Sequence, residues 1–268
     1  MADKPSIPAP ELFLVEKDCF HDAFQKYFKA KRQNFFLNLT MFRSLWDCLQ
    51  VLNDILTREH DNLEHLRDQT HLLPKTIFAA AHARFLTAIE LGFSCCIGDA
   101  YSVLRDGIES VAHAHKMLKE PATAEAWTNK HKGEAELKAY DKIFTWDKKK
   151  NLFPDNVPGF SQLHFYYGQF CELATHTSVT SIGKNFKDLS TAGAVRWGFS
   201  YFETNPQRLA GFFSALLQVS THTEEVFYGC FEGRLKLDPE LGRMRAEFAK
   251  CRQQQTHRLK GVVDGAKP

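Results

Sequence analysis

The chain has 268 residues, enough for one large domain or two small ones. Its composition, 44% hydrophobic and 25% charged, is ordinary for a soluble globular protein, and its net charge of +2 demands neither a nucleic acid nor a membrane as partner. The 23 Phe residues predict a bulky aromatic core, or a pocket for an apolar or aromatic ligand.

The cysteine pattern and the N-terminus both favour the cytoplasm. The seven Cys residues form no Cys-x-x-Cys pair, and their odd number among apolar neighbours is typical of reduced, buried thiols. The first residues, MADKPSIPAPELFLVEK, lack the basic-then-apolar layout of a signal peptide. The most apolar window, residues 77–97, contains Arg84, and an Arg costs roughly 2.5–3.5 kcal/mol at mid-membrane. We therefore predict a soluble cytoplasmic protein without a membrane partner.

Apolar residues at three- and four-residue steps predict the first helices. One stripe covers residues 35–56, and residues 20–28 form either a separate helix or the front of this one. The sequence then turns polar, and the helical segment is expected to end at Pro74. A second stripe predicts one long central helix over residues 77–118. Its small residues, Gly92 among them, would let a neighbouring helix approach closely.

Proline and polar caps predict the remaining helix boundaries. Pro121 is placed to open a short helix that carries Trp127. Breakers over residues 154–159 separate it from a helix that Ser161 caps and that ends near His176.

The alternation in "AVRWGFSYF", with "SVTSI" before it, predicts a small β-hairpin near residues 178–203. Asn205–Pro206 and Asp238–Pro239 then combine a capping side chain with a proline at the first helical position, which predicts two more helix starts.

No repeat and no interdomain linker interrupts this pattern. We predict an N-terminal segment over residues 1–17, a single helical domain over 18–260 and a frayed tail over 261–268. The predicted fold is an all-α helical bundle with a small β-hairpin.

The stretch "YSVLRDGIESVAHAHKMLKEP", residues 101–121, combines the spacing of a buried helix with ionisable side chains. Arg105 and Glu109 lie four residues apart and share one helix face beside the core side. Asp106 turns further from the core. We expect Asp106 and His115 to be solvated or paired.

Two interpretations of Arg105 and Glu109 stay open. They form an exposed ion pair at a helix edge, or they point into a cleft and meet polar groups from another helix. The best candidates for that second helix lie in "FYYGQFCELATHTS" and are Tyr167, His176 and Ser178.

The pattern "LRDGIESVAHAHKMLKEP", followed by Trp127 and then "YYGQFCELATHTS", resembles bacterial helical families of unknown function. Those families show an Arg-x3-Glu helix, a Trp-bearing segment and a Tyr…His-Pro/Thr-Ser ending. The similarity covers about residues 101–178, and Thr177 stands where Pro is common. The resemblance gives no reaction, but it implies one polar ligand-binding cluster between two helices: Arg105, Glu109, Tyr167, His176 and Ser178.

These families are also loosely similar to HEPN domains, some of which are ribonucleases with an Arg-x4–6-His motif. Two such motifs begin at Arg58 and Arg252, but chance alone gives about 1.7 matches, so they assign no site. The resemblance leaves a metal-independent ribonuclease as the alternative function. Arg105 would then stabilise phosphate charge, and His176 would act as general acid or base.

A metal centre is not favoured. The chain lacks the Glu-x-x-His pairs of di-iron bundles. Glu109 and His113 have helical spacing, but the rings of His113 and His115 point about 160° apart. "EHDNLEH", Glu59–His65, is expected on an exposed helix end. We expect structural or solvated roles for these residues and no metal or cofactor, and buried thiols rather than nucleophiles at Cys95 and Cys96.

The sequence thus favours a polar interhelical cleft that binds a small ligand or a protein partner. A purely structural interaction module, an RNA partner and a homo-oligomer stay open.

Overall fold

The computed structural model describes residues 22–144, 152–175, 186–188, 190–191, 197–236 and 238–265. The helices are α1 (Asp22–Met41), α2 (Arg43–Asn62), α3 (Gln69–Phe93), α4 (Ile97–Lys119), α5 (Thr123–Asn129), α6 (Glu134–Phe144), α7 (Phe160–Phe170), α8 (Pro206–Phe231) and α9 (Pro239–Val263). A π-helical turn, Cys171–Thr175, continues α7, and a 3-10 turn, Glu232–Arg234, follows α8.

The predicted all-α bundle with a small β element is confirmed. The strands β1 (Phe186–Asp188) and β2 (Trp197–Phe199) pair antiparallel, with Phe186 opposite Phe199. The segment "SVTSI" lies outside the described residues. In the described part of the chain, no helix is long and apolar enough to cross a membrane.

The predicted single helix over residues 77–118 is wrong, because the chain reverses between α3 and α4. The backbone N–H of Cys96 donates to the Leu91 carbonyl at 2.8 Å, and that of Cys95 donates to the Gly92 carbonyl at 2.9 Å. Cys95 itself is left-handed, with φ +64°. This is a Schellman motif with Cys at the position that Gly usually occupies, where a side chain costs roughly 1–2 kcal/mol.

Side-chain and backbone contacts from two other segments hold this turn. The Asn38 amide on α1 donates to the Phe93 carbonyl at 2.9 Å and to the Cys95 Sγ at 3.1 Å. The Glu203 backbone N–H donates to the Cys95 carbonyl at 2.8 Å. The turn therefore ties α3 and α4 to α1 and to the chain that enters α8.

Other predicted boundaries in the first half of the chain shift. Phe42 separates α1 from α2. Pro74 lies inside α3 instead of ending a helix. Pro74 is the sixth residue of α3, and the helix continues through it without the one hydrogen bond that a backbone N–H there would donate to the Thr70 carbonyl.

Two predicted helix starts are displaced by two residues. α5 begins at Thr123, two residues after Pro121. The N-cap of α7 is Gly159, with φ +86°, and Ser161 lies inside the helix. A Cβ on Gly159 would also crowd the backbone carbonyl of His222 at 2.8 Å, so both conformation and space require glycine there.

The other two predicted starts are confirmed. The Asn205 side chain accepts the Arg208 N–H at 3.0 Å at the start of α8. The Asp238 carboxylate accepts the Glu240 N–H at 3.1 Å at the start of α9. The last helix continues to Val263, beyond the predicted start of the tail.

The core is aromatic, as the Phe count predicts. α8 packs against α3, α4, α7 and α9, and α4 packs against α3, α7 and α8, so these two helices lie at the centre. The fully buried Phe side chains are Phe78, Phe85, Phe93, Phe160, Phe170, Phe212, Phe213, Phe227 and Phe231.

Gly92 on α3 allows α8 to approach closely. A Cβ built on this glycine would overlap the ring of Phe212, which is itself fully buried. The ring cannot swing into solvent, so a side chain at position 92 must displace packed core.

We expect Gly92→Ala to destabilise the protein by about 1–3 kcal/mol, because overpacking outweighs the roughly 1 kcal/mol that Ala gains in helix propensity. Urea denaturation measures the difference. Gly211→Ala on α8 is the control, since no atom lies within 4 Å of its added Cβ, and it should be neutral or stabilising. A Gly92→Ala variant as stable as Gly211→Ala would contradict the close approach.

A buried ion cluster attaches α9 to α2 and α8. The Arg245 guanidinium donates to Glu59 at 2.8 Å and also to Glu224, while the ring of Tyr228 covers it at 3.5 Å. Glu59 is fully buried, so the expectation that it lies exposed is wrong. Burial, and then the neighbouring Glu224, raise the pKa of Glu59, and Arg245 offsets only part of this.

We expect Arg245→Met to destabilise the protein by about 3–5 kcal/mol, because two buried carboxyl groups lose their shared cation. Arg243→Met is the matched control. It removes an Arg of the same helix that is 75% exposed and paired with Glu240, so it should change stability by less than about 0.5 kcal/mol. Thermal and urea unfolding measure the loss of stability in each variant. Equal losses would contradict the role of Arg245 as the cation shared by two buried carboxyl groups.

Candidate functional site

A cleft of about 310 Å³ opens between α4, α6 and α7. α4 supplies its polar wall, α6 and the chain before α7 supply apolar side chains, and α7 closes it with a tyrosine. The lining residues are Arg105, Glu109, Ala112, His113, Tyr140, Asp141, Phe144, Leu152, Phe153 and Tyr167.

Three of the five residues predicted for the site meet in this cleft. Arg105 Nη1 lies 3.6 Å from Glu109 Oε2, one turn along α4. The Arg105 guanidinium also lies over the ring of Tyr167 on α7, 5.9 Å from its centroid. The Tyr167 side chain is hydrogen-bonded to both Glu109 and Arg105. One turn of α4 and one residue of α7 thus form a single polar network.

Burial shapes the charges of this network. It raises the pKa of Glu109, which Arg105 partly offsets, and raises the pKa of Tyr167 to about 12. Burial alone would lower the pKa of Arg105, but Glu109, Tyr167, Asp106 and a hydrogen bond with Cys171 together raise it, so the guanidinium stays protonated. Tyr167 is therefore a neutral hydrogen-bond donor at physiological pH, beside a fixed cation.

His113 lies one turn beyond Glu109 and is 5% exposed. Burial, with the nearby charge of Lys130, lowers its pKa to about 4, although a hydrogen bond to the Phe144 backbone opposes this shift. The ring is thus neutral at physiological pH. Its Nε2 has no hydrogen-bond partner. Since the other ring nitrogen meets a carbonyl and must carry the proton, Nε2 is an unused acceptor.

Arg105 also has an unused group. Its Nε is buried and makes no hydrogen bond, while its Nη2 donates to Asp106 at 2.9 Å and its Nη1 faces Glu109. A buried polar group without a partner costs about 1–3 kcal/mol. The cleft therefore contains one unused donor and one unused acceptor, at Arg105 and His113.

The expectations for Asp106 and His115 have different outcomes. Asp106 is exposed and paired with Arg105, as expected. His115 is 6% exposed, packs against the Phe160 ring at 4.8 Å, and its Nε2 has no partner. The expectation that it is solvated or paired is wrong, because α7 covers the side of α4 that carries it. Burial lowers its pKa to about 4.

Two predicted site residues, His176 and Ser178, lie outside the described residues. Cys95 and Cys96 are buried, and burial raises the pKa of both thiols, as expected for structural cysteines. The residues that the structure describes hold no group of three or more His, Cys, Asp or Glu side chains placed to bind a metal ion.

Sequence reasoning missed α6 and thus the far wall of the cleft. Leu137, Tyr140 and Phe144 have the three- and four-residue steps of a helix face, but Glu, Lys and Asp surround them over only eleven residues. His113 could have been placed in the cleft from the sequence, since it follows Glu109 by four residues.

Comparison with protein-family models, with curated proteins and with solved structures finds no match to this chain.

We expect the protein to lose stability in acid between about pH 6.5 and pH 4. The folded-state pKa of His113 and of His115 is about 4, while unfolded His titrates near 6.5, so the unfolded state takes up protons first. Each ring should remove up to about 3 kcal/mol over this interval.

Urea unfolding from pH 8 to pH 4 tests this dependence. His115→Leu should weaken it, and His257→Leu, which replaces an exposed His on α9, should not. An unchanged pH slope in His115→Leu would contradict the assignment.

Proposed function

We propose that the cleft between α4, α6 and α7 binds a small organic molecule. The observation that supports this is the pair of unused hydrogen-bonding groups, Arg105 Nε and His113 Nε2, beside one cavity of about 310 Å³. Known small-molecule pockets begin at about this size and combine apolar walls with a few placed polar groups. The size of the cleft favours a small ligand over a protein partner.

The side chains of the cleft indicate the shape of such a ligand. Phe144, Leu152 and Phe153 are at most 6% exposed and offer an apolar wall. Arg105 would donate to an oxygen or an anionic group of the ligand, and His113 would accept from an O–H or N–H. The proposed role of Glu109 and Tyr167 is to orient Arg105, since both contact it. The ligand is therefore a compact molecule with an apolar body and a polar edge.

We further propose a cytoplasmic location. Of the seven cysteines, the six that the structure describes carry free thiols. Reduced thiols are the rule in that compartment.

The ribonuclease alternative uses the same cation with different chemistry. Arg105 would stabilise phosphate charge, and His176 would transfer protons. The feature that favours it is a charged guanidinium held beside an open cleft. The two Arg-x4–6-His motifs give it no support, because Arg58 is paired with Asp238 and Arg252 with Glu225. Loss of RNA cleavage in a folded His176→Ala variant would support this alternative, and no cleavage by the wild-type protein would exclude it.

Native mass spectrometry of the purified protein tests the binding proposal. We expect a retained mass that disappears on denaturation and that is lost in Arg105→Ala and in Tyr167→Phe. Arg43→Ala is the matched control, because Arg43 forms an i,i+4 ion pair with Asp47 on α2, outside the cleft.

Where no mass is retained, ligand-observed NMR with benzoate, benzamide and phenol identifies the preferred polar edge. Each probe has an apolar ring, and the three differ in charge and in hydrogen-bonding groups. Binding to wild-type protein that Arg105→Ala weakens, and Arg43→Ala does not, supports the proposal. The proposal would be contradicted if no probe binds the wild-type protein, or if the probes bind Arg105→Ala and Arg43→Ala equally well.

A further inference from the structure

Two free cysteines face each other between α2 and α9. The thiols of Cys48 and Cys251 are hydrogen-bonded to each other, although the two residues come from distant parts of the chain. Cys48 is fully buried, whereas Cys251 is half-buried. The pair therefore combines one thiol that solvent reaches with one that it does not.

The antiparallel packing of α2 against α9 explains why the two thiols meet. The Ser44 hydroxyl on α2 donates to the Gln255 side chain on α9 at 3.3 Å. Cys48 lies one turn after Ser44, on the same face of α2. Cys251 lies one turn before Gln255, on the same face of α9. Because Arg245 bonds to α2 beyond this point, contacts on both sides of the thiol pair fix the register of the two helices.

The surroundings of the pair distinguish the two thiols. Burial, and then the hydrogen bond with Cys251, raise the pKa of Cys48, and the positive charge of Arg252 offsets only part of this. Cys48 therefore stays protonated at physiological pH. Cys251 lies on α9 between the buried side chains of Phe248 and Gln255 and is itself partly exposed. An oxidant that arrives from solution thus reaches Cys251 first.

We propose that Cys48 and Cys251 form a reversible disulfide when the protein meets hydrogen peroxide. The Cys251 sulfur attacks one peroxide oxygen, the O–O bond breaks, and the thiol proton passes to the departing oxygen, so a sulfenic acid and one water form. The Cys48 sulfur then attacks the sulfenic sulfur. The S–S bond forms, the S–O bond breaks, and the Cys48 proton leaves with the hydroxyl as a second water. The two thiols lose two electrons, and one peroxide accepts them.

The position of the pair suits a reversible cross-link. An accessible thiol beside a second thiol that resolves its sulfenic acid is the arrangement of redox-sensing cysteines. The two sulfurs must approach to about 2.0 Å, so the helices close slightly on their hydrogen-bonded contact. In the proposed cytoplasmic location, such a disulfide forms under oxidising conditions and is then reduced again. The cross-link would join α9 to α2 covalently, beside the polar contacts that already hold the two helices.

Peptide mapping by mass spectrometry without reductant, after the full chain is treated with hydrogen peroxide, tests the proposal. We expect a cross-linked pair of peptides that contain Cys48 and Cys251, and dithiothreitol should separate them. Cys251→Ser should abolish the cross-link. Cys230→Ser is the matched control, since it removes a half-buried free thiol of α8, and it should leave the cross-link unchanged.

Two further measurements test the consequence of the cross-link and the order of the two steps. Because the disulfide closes a loop of about 200 residues, the oxidised protein should unfold at a urea concentration about 1–2 M higher than the reduced protein. Peroxide should produce no such shift in Cys251→Ser. In Cys48→Ala the sulfenic acid has no resolving thiol, so dimedone should label Cys251. Cys251→Ser changes a half-buried position, and it keeps the test valid where Cys48→Ala does not fold.

Three results would overturn the proposal. One is that peroxide leaves both thiols unmodified. Another is oxidation of Cys251 to the sulfinic acid without any link to Cys48, which would mean that Cys48 does not resolve the sulfenic acid. The last is a disulfide between the Cys251 residues of two copies of the chain, which would mean that the exposed side of this thiol reacts before the buried side.

Discussion

The reversal of the chain at Cys95 determines where every polar residue of α4 ends up. The Schellman turn sends α4 back against α3, and the absence of a side chain at Gly92 lets α8 pack onto the same pair. α4 is then covered by α3, α7 and α8 at once. A continuous helix through this point would have carried Arg105 and Glu109 away from α7, so the cleft depends on one left-handed cysteine and one glycine.

Two ionic clusters in this fold differ in the groups that they leave unpaired beside a cavity. Arg245, Glu59 and Glu224 lie between three helices, with Glu59 fully buried and Tyr228 covering the cation. That cluster joins helices, and Arg245 and Glu224 also line a cavity of about 420 Å³, where the Arg245 Nε is buried and unpaired. The cleft of Arg105 and Glu109 contains both an unpaired donor, Arg105 Nε, and an unpaired acceptor, His113 Nε2, and each costs free energy while it has no partner. One ligand can satisfy both groups, which is why the second cluster is the candidate site.

The apolar period of the sequence was sufficient for the fold class and for the helices that start at Asn205 and Asp238, because capping side chains act locally. It was insufficient at Cys95, because a left-handed turn is normally recognised in a sequence by a Gly, and this turn has Cys there. The pairing of Arg105 with Glu109 follows from four-residue spacing, and their meeting with Tyr167 was expected from the resemblance. The burial of His115 was not expected. The spacing of apolar residues identifies one buried face of a helix, whereas α4 has neighbours on several sides.

The exposed rings of α1 are not explained by a contribution to the stability of the fold. Asn38 is the one buried side chain of this helix, and it acts by holding the α3–α4 turn. Phe24 and Phe28 lie on the same side of α1 as Phe35 and Leu39, which pack partly against the core, so the exposed rings continue that stripe toward the start of the helix. An exposed ring on a helix gains nothing from burial and lowers solubility. Because Lys26 and Lys29 lie roughly 120–180° around the helix from the two rings, the rings and these cations do not form one surface.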